Sequence, residues 1–177
     1  MENISKILES GNSKEKIKIL ETLDNADNPE IIKKMILELD DEDMQVRGEA
    51  FSSLVLNKNK ISNFLIKSLS STNKNIRGFA SLVLANRNER DAIPELIKLG
   101  KDERSMVRSC AIGALGHLKA IEAKEIFLQS LLDSNLEVRK SALHAIIDMK
   151  MSIPDEVKNE IIKEPEMQKL FTQLKKM

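Results

Sequence analysis

Val107-Arg108-Ser109-Cys110-Ala111-Ile112-Gly113-Ala114-Leu115 is the clearest copy of a pattern that this chain repeats four times. The other copies are Val46-Arg47-Gly48-Glu49-Ala50 followed by Leu54, Ile76-Arg77-Gly78-Phe79-Ala80 followed by Leu84, and Val138-Arg139-Lys140-Ser141-Ala142 followed by Ile146. From arginine to arginine the spacings are 30, 31 and 31 residues, and six residues ahead of each arginine stand Asp41, Ser71, Asp102 and Asp133. An aliphatic residue, an alanine and a second aliphatic residue at i, i+4 and i+8 lie on one face of a helix. The alanine is small where two helices approach closely. The Asp, Asn and Ser residues upstream are of the types that cap helix starts.

Between these helices lie polar breaks and a second amphipathic helix per repeat. Its apolar residues are Ile32, Met35, Ile36 and Leu39; then Leu65, Ile66 and Leu69; then Ile93, Leu96 and Ile97; then Phe127, Leu128 and Leu131. Each unit is a hairpin of about 31 residues with apolar faces it cannot bury alone, so neighbours stack to form a continuous core. The expected architecture is all-α: a right-handed α-solenoid of about five stacked helical hairpins. The repeats fall at 41–70, 71–101, 102–132 and 133–163, with an N-terminal capping hairpin over 1–40 and a C-terminal capping helix over 164–177. No Ser/Gly-rich linker interrupts the chain, so 1–177 reads as a single domain.

Composition agrees with helices. Five Phe, no Trp, no Tyr, six Gly and four Pro leave a vocabulary of Leu, Ile, Lys, Glu and Ala, where a sheet protein would need more aromatic, β-branched and turn residues. Lys plus Arg equals Asp plus Glu at 28 each, so the overall basic excess expected of a nonspecific nucleic-acid binder is missing. No run of 18 apolar residues predicts a membrane span. The opening MENISKILES lacks the basic and apolar regions of a secretory leader, so a cytoplasmic protein is expected. The single cysteine, Cys110, rules out an intrachain disulfide and any multi-cysteine metal site.

The D-x5-R spacing, the V-R-x-x-A-x-x-x-L core and the period resemble HEAT-like repeats of the phycobilisome-lyase type, over about residues 40 to 150. The resemblance implies an armadillo-like superhelix in which Asp41, Arg47, Arg77, Asp102, Arg108, Asp133 and Arg139 form a ladder of contacts between repeats. Ser71 departs from the pattern and leaves its step to Asn73 or Asp102. Relatives that act as metal hydroxylases use paired His-Glu dipeptides as iron ligands. Here His117 precedes Leu118 and His144 precedes Ala145, so no facial triad is expected. Base-excision relatives need a basic cleft and aromatic residues, which this composition withholds. No catalytic motif occurs, and no catalytic residue, cofactor or metal is expected.

In such stacks the second helices line the concave face. Counting back from the Asp/Ser marks places Lys33, Lys34, Leu37, Phe64, Lys67, Glu95, Lys98 and Ile126 on one strip. Phe64 and Ile126 can either face the groove as apolar anchors or tuck sideways into the core between repeats; with the lysines, the first arrangement favours a protein or peptide partner, an acidic one in particular, while nucleic acid is disfavoured and no membrane is implied. The function that follows is a non-enzymatic protein-interaction scaffold. The alternatives are a bilin or chromophore lyase or lyase subunit, marked by a deep apolar cavity, and a nucleic-acid binder, marked by a continuous Lys/Arg stripe.

Overall fold

The structure is a computed structural model and describes residues 2–174. The described residues form twelve α-helices with short 3-10 turns and no strand. The chain divides after Glu89 into two compact units.

The first unit holds α1 (Glu2–Ser10), α2 (Ser13–Leu20), α3 (Pro29–Leu37), α4 (Met44–Leu56), α5 (Ser62–Ser68) and α6 (Lys74–Asn86). Three helices, α1, α2 and α3, fill the span expected to hold a capping hairpin, and α1 packs on α2 and α3. A capping box starts α2, where the Asn12 side chain accepts from Glu15 N–H and the Glu15 carboxylate accepts from Asn12 N–H. Asn28 caps α3, and Pro29 follows at its first turn, where a missing N–H is harmless. Helix α4 packs against α2, α3 and α6, while α5 lies beside α3 and α6. Buried polar groups tie the helix ends together. Ser53 Oγ donates to Leu20 O at 2.7 Å, and Asn57 Nδ2 donates to Leu23 O at 3.2 Å and Ala26 O at 2.8 Å. The Arg87 guanidinium donates to the carbonyls of Leu54, Asn57 and Asn59. Leu54 O lies in the last turn of α4, where carbonyls lack an intrahelical partner, and Asn57 O and Asn59 O lie in the turn that follows.

The second unit holds α7 (Ile93–Leu99), α8 (Ser105–His117), α9 (Lys124–Ser130), α10 (Leu136–Asp148), α11 (Asp155–Ile161) and α12 (Pro165–Leu174). Helix α8 packs along α10, and each has a short helix of the same unit, α7 or α9, against it. Gly116 permits the close approach: a Cβ added there would fall 2.8 Å from Ala145 Cβ. Helix α12 rests on α10 and buries Met167 and Phe171.

The repeat signature is the core. Val46, Ala50 and Leu54, Val107, Ala111 and Leu115, and Val138, Ala142 and Ile146 have no exposed surface; Ala80 and Leu84 match them and Ile76 is nearly so. Helices α6, α8 and α10 end alike. Asn88, Lys119 and Lys150 take left-handed backbone at φ 56, 50 and 53. Around each, paired bonds of Schellman type close the helix, such as Lys119 N to Gly116 O and Ala120 N to Leu115 O, both 3.0 Å. Non-glycine residues at this conformation are uncommon, and three in the same register mark the period as clearly as the arginines do.

Candidate functional site

Each repeat arginine first braces its own repeat. Arg47 Nη1 donates to Asp41 O at 2.6 Å and Glu42 O at 3.0 Å. Arg77 Nη1 meets Ser71 O and Thr72 O, Arg108 Nη1 meets Asp102 O and Glu103 O, and Arg139 Nη1 meets Asp133 O. The residue six positions earlier has its own local task. Oδ1 of Asp41, Asp102 and Asp133 accepts from the N–H two residues on, at 2.8 to 2.9 Å, and Ser71 Oγ does the same for Asn73 N–H at 3.2 Å. The D-x5-R spacing is therefore a brace for the turn between hairpins: an Asx turn, then an arginine that covers the turn's carbonyls. Ser71 fits because a hydroxyl can accept the same bond.

Rungs between repeats use what remains of these side chains. Arg108 grips Asp133 with two bonds, Nε to Oδ2 at 2.7 Å and Nη2 to Oδ1 at 2.8 Å. Burial pushes the Asp133 carboxyl up, but the bonds from Arg108 and from Asn135 N–H outweigh it and hold the carboxyl below its ordinary range. Arg139 Nη2 donates to Glu164 at 2.6 Å. In the first unit Lys16 supplies the cation and meets Asp41 at 2.6 Å and Glu38 at 2.9 Å. Glu38 is buried and its carboxyl is pushed up by that burial; Asp41 is pushed the same way but lies below its usual range because Lys16 and Asp43 N–H hold its charged form. Sequence reading missed Lys16 and Glu164. Both keep the register: Lys16 stands 31 residues before Arg47, and Glu164 stands 25 after Arg139 as Asp133 stands 25 after Arg108. Asn73 does not take over the step at Ser71; its side chain caps α6 and its amide donates to Asp40.

The candidate strip is mixed. On α3, Lys33 is exposed beside Glu30 at 2.7 Å, Lys34 is half-buried in an ion pair with Glu9 of α1, and Leu37 is 59% exposed. On the adjacent α5, Phe64 is half-buried and Lys67 is exposed. In the second unit, Glu95 and Lys98 of α7 pair with each other at 2.7 Å. Of the two placements open to Ile126, groove and core, it takes the core. It is 4% exposed, and a Cβ added to Gly100 would fall 2.6 Å from Ile126 Cγ1, so this side chain fills the space beside Gly100 and offers no anchor.

The groups that carry chemistry are dispersed. Among the described residues no three His, Cys, Asp or Glu side chains converge to hold a metal ion. His117 and His144 are exposed and border an open groove of about 820 Å3 over Gly113, Gly116, Ser141 and Ala145. Cys110 is half-buried, 3.7 Å from Met106 Sδ, and burial pushes its thiol up to about 11. So little of it is thiolate near neutrality that it has no nucleophile's character. No described helix is long and apolar enough to cross a membrane.

Residues 62–147 match the family of HEAT repeats. Solved structures of similar fold include a designed armadillo repeat protein, with TM-score 0.60, 18% identity and 97% of each chain covered. Another designed armadillo repeat protein, in complex with the peptide (KR)4, has TM-score 0.57 and 18% identity, covering 98% of this chain and 97% of that one. A computationally designed armadillo repeat protein for modular peptide recognition has TM-score 0.56 and 18% identity, with 98% of each chain covered. No curated protein matches the sequence. Neither the family match nor the fold distinguishes the phycobilisome-lyase type from other HEAT-like repeats. On the repeat signature, the match over 62–147 and the shared fold, this chain is a HEAT-like repeat protein.

Proposed function

We propose that the chain is a non-enzymatic scaffold that holds an acidic peptide segment of another protein on the strip formed by α3 and α5. One observation carries the charge preference. From Ala50 to Asn88 the sequence has no Asp or Glu, but has Lys58, Lys60, Lys67, Lys74, Arg77 and Arg87. The two arginines are turned toward backbone carbonyls, while all four lysines are exposed. On α5, Phe64 and Lys67 stand one turn apart and share a face, Lys60 lies just ahead of the helix, and Leu37 is exposed on the neighbouring α3. Apolar anchors supply most of the affinity in such grooves, and the lysines steer an acidic partner and exclude a basic one. Helices hold these groups in place, so little ordering entropy is lost on docking.

Two of the structural neighbours are peptide binders by design, which supports a peptide as the occupant; the (KR)4 peptide of one has the opposite charge to that proposed here. A lyase role would need an enclosed apolar cavity, whereas the 820 Å3 groove is open and carries His117, Lys119, His144 and Asp148 on its lining.

The test is selection from a displayed peptide library, followed by fluorescence-anisotropy titration of the selected peptides at two salt concentrations. The expected winners are acidic peptides with one or two large apolar residues, weakened at least about tenfold by Phe64→Ala with Lys67→Glu while circular dichroism is unchanged. Binding indifferent to that pair but lost on Arg90→Glu or His144→Glu would overturn the reading, as would preferential binding of single-stranded DNA.

A further inference from the structure

One rung of the ladder in the first unit lacks its anion. Lys16 meets Asp41 across 25 residues, and Arg108 meets Asp133 across the same separation. Arg47 has no carboxylate partner among the described residues; only its Nη1 is engaged, on the carbonyls of Asp41 and Glu42. The position that would supply the acid, aligned with Asp41, Asp102 and Asp133, is Ser71.

Both ends of this rung are nevertheless set as in a complete one. The Arg47 bonds of 2.6 and 3.0 Å to its turn carbonyls repeat those of Arg108, at 2.8 and 3.3 Å. Ser71 Oγ accepts from Asn73 N–H as Asp133 Oδ1 accepts from Asn135 N–H, so its side chain takes the direction of the aspartate in the complete rung. The helices that carry the two ends, α4 and α6, pack against each other, though less extensively than α8 and α10 do. Ser71 is half-buried in the α5–α6 turn, with Ser70 and Thr72 exposed on either side.

We propose that Ser71 is a phosphorylation site whose phosphate completes the Arg47 rung, so that modification locks α6 onto α4. A kinase would transfer the γ-phosphoryl group of a nucleoside triphosphate. The new bond is Ser71 Oγ–P, the bond to the leaving diphosphate breaks, and the hydroxyl proton passes to the kinase's base. The phosphate oxygens then accept from the unused Nε and Nη2 of Arg47, as a carboxylate does at Asp133. Two further features favour the anion here: exposed Lys74, three residues on, and the N-terminus of α6, which starts at that residue. Asp40, whose carboxylate accepts from the Asn73 and Asn75 amides, opposes the phosphate and reduces the gain.

The experiment installs phosphoserine at 71 by genetic encoding and measures thermal melting, with phosphoserine at 70 as control and Arg47→Gln as second background. The expected result is a rise of about 3–8 °C for phosphoserine 71, absent with phosphoserine 70 and lost in Arg47→Gln. A rise that survives Arg47→Gln, or no rise, overturns the completed rung. Phosphopeptide mapping of protein isolated from its own cells is the second arm. Phosphate on Ser71 supports the site; phosphate only on Ser70 or Thr72, or none, overturns it. Ser71→Asp gives a check free of covalent modification, because an aspartate in that position should stabilise only when Arg47 is present.

Discussion

Replacing Asp133 by Asn removes the charge of the best-formed rung and keeps its shape. The carboxamide oxygen introduced by Asp133→Asn can still accept from Asn135 N–H, so the turn survives and the loss reports mainly on Arg108, with a smaller share from the nearby Arg139 charge. Two charge-assisted bonds of 2.7 and 2.8 Å join side chains that are 15% and 13% exposed. Hydrogen bonds to charged groups contribute about 1.5–3 kcal/mol when sheltered, and exposed ion pairs less than about 1 kcal/mol. This pair lies between those limits, so a double-mutant cycle of Asp133→Asn with Arg108→Gln should give a coupling energy of about 1–3 kcal/mol in urea melts. The cycle matters because Arg108→Gln alone also strips the braces on Asp102 O and Glu103 O. The rung also has a pH signature. The folded carboxyl lies below its ordinary 3.8, so the unfolded chain takes up the proton first on acidification. The rung's contribution is complete above that ordinary value and disappears as pH falls through the lower folded one. Asp133→Asn should therefore flatten the acid limb of stability against pH. A coupling below about 0.3 kcal/mol, the scatter of independent sites, would refute the ladder as a source of stability.

Leu115→Ala empties a fully buried site in α8 and should cost about 2–5 kcal/mol by urea denaturation; a loss below about 0.5 kcal/mol would mean that the helix does not bury this face. The two glycines of α8 should respond in opposite directions. Gly113→Ala meets nothing within 4 Å and should stabilise by about 0.4–1 kcal/mol, whereas Gly116→Ala pushes a methyl to 2.8 Å from Ala145 Cβ and should destabilise by about 1–3 kcal/mol. Cys110 should resist thiol reagents at pH 8 in the folded protein and react at once in denaturant; equal rates in the two states would show the thiol to be exposed and ionised.

Much of this fold could be read from four short segments because helix packing imposes a period on the sequence. Val107, Ala111 and Leu115 are buried for the reason their spacing implies, and the same holds for the equivalent residues of the other repeats. The arginines were visible, but their first task was not. A guanidinium that covers two turn carbonyls leaves no complementary residue type in the sequence, since every residue carries a carbonyl. Lys16 and Glu164 were hidden for a simpler reason: they keep the charge of the ladder while changing the residue, and the pattern had been defined by Arg and Asp. Helix α1 has no repeat signature and is held by α2 and α3. The strip was legible as a register and not as a surface. Ile126 occupies a position that could face outward, yet Gly100 opens a space beside it that only the three-dimensional neighbour reveals.

The short, fixed reach of the rungs has a consequence for how the chain acquires its structure. Lys16 to Asp41, Arg108 to Asp133 and Arg139 to Glu164 each close over 25 residues, and the braces close over six or fewer. A ribosome adds about 5–20 residues per second, so each rung becomes available about 1–5 s after its cation leaves the exit tunnel. Helices form within about a microsecond and hairpin-scale loops close faster still, so within each compact unit a hairpin can settle onto the one before it ahead of further synthesis. Synthesis from N- to C-terminus thus fits the direction in which the contacts accumulate, and in a half-made chain only the newest cation still waits for its acid.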